Sequence, residues 1–153
     1  MPNACEYCHY TEVVDDFRLI HQGRYWQVAL SANQEYLGRV FVALLRHAEG
    51  LRDLSNEEAA ELFQFMKRYE VVMEAAFQPT HFNWSCLMND AAGSHKPLHV
   101  HWHGIPRYDQ PREFGGRTFT DSRWPKTSRD ITPNMPSPEL LASIKETISP
   151  GFA

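Results

Sequence analysis

The sequence has little of what would assign it to several large classes of protein. It has no surplus of positive charge: 15 Lys and Arg stand against 19 Asp and Glu, for a formal net charge of −4. A protein that coats a nucleic-acid polymer or lies on an anionic membrane needs a basic face, so neither partner is expected. A few phosphates on a small substrate need only a local cluster of donors. No apolar run is long enough to span a bilayer. The start, Met1-Pro2-Asn3-Ala4-Cys5, lacks the basic residues and apolar stretch of a secretory signal, which makes the cytoplasm the expected compartment. Cysteine is scarce too. Cys5, Cys8 and Cys86 are an odd count with two close together, a poor disulfide framework. There is no internal repeat and no low-complexity tract. What remains is 153 residues at 42% hydrophobic and 22% charged, the profile of one domain, 1–153, with a real core.

The local patterns alternate between strand and helix. Asp16 to Ile20 and Arg24 to Leu30 read as a hairpin turning at His21-Gln22-Gly23. Val40 to Leu45 is an apolar, partly β-branched run suited to a buried strand. Ser55 and Glu58 form a capping box, after which Leu62, Met66, Tyr69, Met73 and Ala76 make one apolar stripe of a long helix, with Pro79 beyond its end. Asn83 to Met88 and Leu98 to Ile105 read as strands, with Asn89 to Pro97 a loop between them. Residues 109–138, rich in Pro, Gly, Arg and Ser, are expected to be irregular; there Arg112, Arg117, Arg123, Lys126 and Arg129 interleave with Phe114, Phe119 and Trp124, as in a surface segment or dimer arm more than a base-stacking clamp. Ser137 and Pro138 open a short last helix. The fold class is α+β: an antiparallel sheet, one long helix and a short C-terminal helix.

Chemistry concentrates in Leu98-His99-Val100-His101-Trp102-His103-Gly104-Ile105-Pro106-Arg107. Strand side chains alternate faces, so His99, His101 and His103 share one face at spacings of about 6.5–7 Å. A neutral imidazole is a nucleophile near pH 7, and a charged one donates hydrogen bonds to phosphate. Two histidines at this spacing would equally suit a metal pair; three in strict alternation are a sharper pattern. Cys5-Glu6-Tyr7-Cys8 is a C-x-x-C pair. Read alone it fits half of a tetrahedral zinc shell, a redox pair or two ordinary cysteines.

The run from His99 to Tyr108 resembles the motif of the histidine-triad (HIT) family, with its Pro-Arg tail. Gly38 to Val42 with Arg46-His47, the helix start at Asp53 to Glu58, and Phe82 to Gly93 resemble the family's upstream segments. Two departures stand out: Arg39 replaces the histidine that follows the family's glycine, and Ala43-Leu44-Leu45 replaces Ile-Pro-Lys. The resemblance implies an α+β homodimer acting at the α-phosphate of a nucleotide, with an adenine nucleotide the expected substrate. It implies His101 as the nucleophile, forming a nucleotidyl-histidine, and His103 as a phosphate ligand. Asn89 then matches the family's sugar- or phosphate-binding residue, and Ser94 lies near its loop donors to phosphate. Beyond the resemblance, His95 and its neighbour Lys96 are candidate contacts to a further phosphate or the leaving group, or else a solvated loop, and Arg107 is a candidate phosphate ligand or the partner of a carboxylate across the sheet. The zinc-containing branch of the family shares the C-x-x-C, which implies a closed, structural zinc shell of Cys5, Cys8, His47 and His99. A third histidine and the absence of alternating prolines favour hydrolysis, with dinucleoside polyphosphates among the candidates. A nucleotidyltransferase or phosphorylase of the same family, or a non-catalytic nucleotide-binding scaffold, are the alternatives.

Overall fold

The computed structural model describes residues 5–127 and 132–153. Its centre is a five-stranded antiparallel sheet in the order β1-β2-β3-β5-β4. The strands are β1 (Leu19–Gln22), β2 (Trp26–Leu30), β3 (Val40–Leu44), β4 (His81–Ser85) and β5 (His101–Arg107). The first hairpin begins later than the sequence suggests. The amides of Arg18 and Leu19 both donate to the Asp15 carbonyl, at 2.8 and 3.1 Å, so residues 15–18 are a turn and not a strand.

The helix α2 (Asn56–Phe77) starts where its capping box places it. The Glu58 amide donates to Ser55 Oγ at 3.2 Å and the Ser55 amide to Glu58 Oε2 at 2.8 Å. Its buried stripe of Leu62, Phe65, Met66, Tyr69 and Met73 joins Val28, Leu30, Val40, Val42 and Leu44 in one core. The helix also holds the first hairpin: the Glu61 carboxylate accepts from the amides of Arg24 and Tyr25, each at 2.7 Å. A final helix, α4 (Pro138–Ile148), is capped by Ser137 and adds Leu141, Ile144 and Ile148 to the same core. No helix among the described residues is long and apolar enough to cross a membrane.

Three segments differ from their sequence-based expectation. An N-terminal helix, α1 (Glu6–Val13), carries the C-x-x-C: Cys5 is its N-cap and Cys8 lies in its first turn, so the pair does open a helix. The expected loop after β4 contains a short helix, α3 (Asn89–Gly93). The segment after residue 109 is not irregular throughout. It forms a hairpin of β6 (Arg112–Phe114) and β7 (Arg117–Phe119). Gly115 and Gly116 make its turn, with φ of +57° and +73°, a left-handed pair that glycine adopts without a Cβ clash. Arg129 lies outside the described residues.

Arg107 ties this C-terminal segment to the sheet. Its Nε donates to Asp121 Oδ2 at 2.6 Å, its Nη1 to Asn83 Oδ1 at 2.9 Å, and its Nη2 to the Lys126 carbonyl at 2.7 Å. The Arg107 and Asp121 side chains are 3% and 0% exposed. Removing one member of such a pair strands the other charge in a dry site, at a cost of about 3–5 kcal/mol. Asp121→Ala is therefore expected to lower the denaturant midpoint steeply. An unchanged midpoint in urea unfolding would refute this role.

Candidate active site and metal cluster

The strict alternation of the triad survives folding. His101 pairs with Ala43 and His103 with Phe41 across β3, on one face of the sheet. Trp102 and Gly104 lie on the other, toward α2. His99 precedes β5, and the chain there is held irregularly: the Val100 amide donates to the Ala48 carbonyl at 2.9 Å. The helix α1 crosses the triad face. Its Tyr7 stacks on His101 with ring centroids 4.2 Å apart and planes 25° apart, and Phe41 lies against the same imidazole at 5.1 Å.

Folding brings Cys5, Cys8, His47 and His99 together. One donor atom from each lies within 4.8 Å of all the others. Cys5 Sγ and Cys8 Sγ are 3.4 and 3.5 Å from His99 Nδ1, and Cys8 Sγ is 3.4 Å from His47 Nδ1. Two sulfurs and two imidazole nitrogens so grouped suit a tetrahedral zinc ion. The outer contacts orient the rings for it. His99 Nε2 is 2.8 Å from the Leu44 carbonyl, which holds the proton there and turns Nδ1 inward as a lone pair. His47 Nε2 faces Glu49 at 3.7 Å. Burial lowers the His99 pKa from its ordinary value, keeping the ring neutral as a ligand must be. Burial and the adjacent Cys5 push the Cys8 thiol up to about 11, and a dication at the centre reverses that balance by favouring thiolate. The donor set thus fits zinc, with all four positions taken by protein.

His101 and His103 sit on the floor of a cleft of about 880 Å³. His101 Nδ1 lies 2.8 Å from the His99 carbonyl, so that nitrogen carries the proton and donates it there. Nε2 is left as the basic edge. Burial lowers the His101 pKa, against the carbonyls of His99 and Leu87, which favour the charged ring. His103 stands perpendicular to it, ring centroids 5.2 Å apart. Burial, with Arg39 and His101 adding to it, pushes the His103 pKa down to about 4.

That depression has a consequence for stability. The unfolded chain takes up a proton on this side chain below its ordinary value of 6.5, whereas the folded chain does so only near 4. The unfolded state binds more protons in between, so stability falls as pH drops through that window, by about 3 kcal/mol. His103→Asn is expected to flatten that part of the profile relative to the unsubstituted protein. Parallel slopes in urea unfolding at pH 7 and 4.5 would contradict it.

The expected substrate contacts separate in the structure. Asn89 lines the cleft. Ser94 and His95 are exposed and do not line it; the Ser94 hydroxyl donates to the Asp90 carbonyl, and His95 takes a left-handed backbone. Lys96 is ion-paired with Glu6 at 2.6 Å. Arg107 faces Asp121, so of the two roles an arginine could take after the triad it has the structural one. Conversely, Tyr7, Arg39, Asn83 and Thr127 line the cleft without having been singled out as contacts. The signal for Tyr7 lay in the sequence: a residue between the two cysteines of the C-x-x-C is held wherever their cluster is, here against His101.

The family model described as HIT domain matches residues 15–110. Among solved structures, the fold is similar to a hypothetical histidine triad nucleotide-binding protein from Sulfolobus tokodaii strain7, with a TM-score of 0.70 at 16% identity over 96% of this chain and 91% of that one. It is also similar to a diadenosine triphosphate hydrolase from Plasmodium falciparum, with a TM-score of 0.61 at 19% identity over 90% and 77% of the two chains. A Zn-bound histidine triad family protein from Mycobacterium smegmatis matches with a TM-score of 0.58 at 17% identity over 98% and 99%. With His101 and His103 on the cleft floor, His99 beside them in the cysteine–histidine cluster, and the family model spanning the sheet and the long helix, this chain belongs to the histidine-triad family.

Proposed function

We propose that this protein is a nucleotide hydrolase that cleaves a phosphoanhydride or phosphoramidate at the α-phosphate of an adenine-containing nucleotide. The observation that carries the reading is the His101 Nδ1 contact with the His99 carbonyl at 2.8 Å, which reserves the Nε2 lone pair for attack. Nε2 forms a bond to phosphorus as the bond to the leaving group breaks, and the leaving group departs with the electron pair and takes up a proton. Water then attacks the phosphorus of the nucleotidyl-histidine. The N–P bond breaks back to imidazole, and the proton lost by water goes to solvent. His103 and Asn89 flank this path and hold phosphate oxygens.

Zinc, when bound by Cys5, Cys8, His47 and His99, supplies a structural cross-link; a closed shell offers no position to substrate. A reducing compartment such as the cytoplasm would keep both thiols available to it. The reading includes a homodimer in which the sheets of two copies join; β4 is an edge strand of this sheet.

The test is intact mass spectrometry after mixing with an adenosine 5′-phosphoramidate and quenching at short times. One nucleotidyl group gained by the unsubstituted protein and not by His101→Ala supports covalent catalysis. No adduct and no turnover of adenine, guanine or uridine substrates would sink the hydrolase reading.

A further inference from the structure

Two arginines flank the triad in the fold, and they have opposite surroundings. Arg107 is matched donor by acceptor, as described above. Arg39 immediately precedes β3, where its neighbour Val40 pairs with Gly104. It is 7% exposed, and its Nε is sealed from solvent with no hydrogen-bond partner. Among the described residues no carboxylate forms an ion pair with it. Glu35, which acts on it electrostatically, is engaged by the Thr132 amide at 2.6 Å and by Arg123 at 3.8 Å. The Arg39 side chain nevertheless lines the cleft alongside His103. Of the described residues lining that cleft, it is the one with a permanent positive charge, and His103 is neutral at pH 7.

A buried cation without a counter-charge costs stability. It is tolerated where a ligand supplies the missing charge. We propose that Arg39 is an anion subsite for a phosphate group adjacent to the one His101 attacks. The substrate class is then a nucleoside 5′-diphosphate or longer polyphosphate, whose leaving group carries a phosphate. A phosphoramidate with a neutral amine leaving group would leave Arg39 unpaired. This inference rests on the reading of the cleft as a nucleotide site, and it moves the contact for a second phosphate from His95 and Lys96 to Arg39. An arginine is suited to the role because its planar fork donates two parallel bonds to phosphate oxygens.

The test is calorimetric titration of the full-length protein with AMP and with adenosine 5′-(α,β-methylene)diphosphate, which has a second phosphate and cannot be cleaved between the two. Arg39→Met and Arg39→Lys are compared with the unsubstituted protein. A charge-assisted bond of this kind gives a preference for the diphosphate analogue of about tenfold or more. Arg39→Met is expected to abolish that preference and Arg39→Lys to retain part of it. The methionine variant is also expected to melt no lower than the parent without ligand, because it removes an uncompensated charge. An unaltered preference in Arg39→Met, or an equal loss of affinity for AMP and the analogue, would overturn the subsite. Should Arg39→Met not fold, Arg39→Gln is read in the same way. If the unsubstituted protein binds neither nucleotide, the nucleotide reading fails, and inorganic pyrophosphate decides separately. Pyrophosphate bound by the parent and not by the variant supports an anion subsite at Arg39. No binding, or equal binding by both, overturns it.

Discussion

Substituting His101 by alanine is expected to lower kcat/KM for nucleotide hydrolysis by a factor on the order of 10⁴ to 10⁶. The size follows from the absence of a substitute. His103 is set at right angles to His101 at 5.2 Å, with its proton affinity pushed down to about 4, and so is a weaker nucleophile in the wrong place. Both the tautomer of His101 and the plane of its ring are fixed before substrate arrives, one by the His99 carbonyl and the other by Tyr7. That preorganisation vanishes with the side chain. His103→Ala removes a phosphate ligand only, and a loss of about 10² to 10³ is expected. The two variants should be assayed for nucleotide release from an adenosine 5′-phosphoramidate and from diadenosine triphosphate, with circular dichroism as the check on folding. If folded His101→Ala retained activity within a factor of about ten, the covalent mechanism would be untenable. The pH profile gives an independent check. Because burial lowers the His101 pKa, the reactive neutral form persists below pH 6.5 and the acid limb of kcat/KM should fall below that value.

Loss of the metal is expected to have the largest effect on stability. The four residues of the cluster come from three separate places: the start of α1 carries the cysteines, the turn after β3 carries His47, and the lead into β5 carries His99. A zinc ion bound by all four would cross-link these three places, and α1 brings Tyr7 onto His101. Chelation, or Cys8→Ser, is expected to remove about 3–5 kcal/mol and to lower Tm by roughly 10 °C. It should also release α1, so activity falls before the sheet unfolds. Elemental analysis of the purified protein should give one zinc per chain, and calorimetry with and without chelator should show the shift. A metal-free protein with an unmoved Tm would leave the cluster as two cysteines and two histidines that happen to meet.

How far the sequence reaches depends on how local the deciding interaction is. The alternation of His99, His101 and His103 needs only the two-residue period of a strand, so their common face could be read directly. Ser55 and Glu58 declare the start of α2 because a capping box closes within one turn of backbone. Gly115-Gly116 between Phe114 and Phe119 was an equally local hairpin signal, hidden by the surrounding loop-like composition. Other assignments depend on partners far along the chain. His47 and His99 lie 39 and 91 residues from Cys8, and no spacing rule joins them; the family resemblance did, and the packed sheet brings their nitrogens beside the sulfurs. Arg39 and Arg107 show the division most clearly. In sequence each is an arginine at one end of an apolar run, and nothing local tells whether Arg107 meets a phosphate or a carboxylate across the sheet. Folding places Asp121 against Arg107 and leaves the buried Arg39 Nε without a hydrogen-bond partner beside the cleft. The sequence by itself determined that His101 and His103 share one face of a strand, because that depends on backbone period and residue type. Tertiary structure alone decided which cation is available to a ligand, because a charge is neutralised by whatever the fold packs beside it.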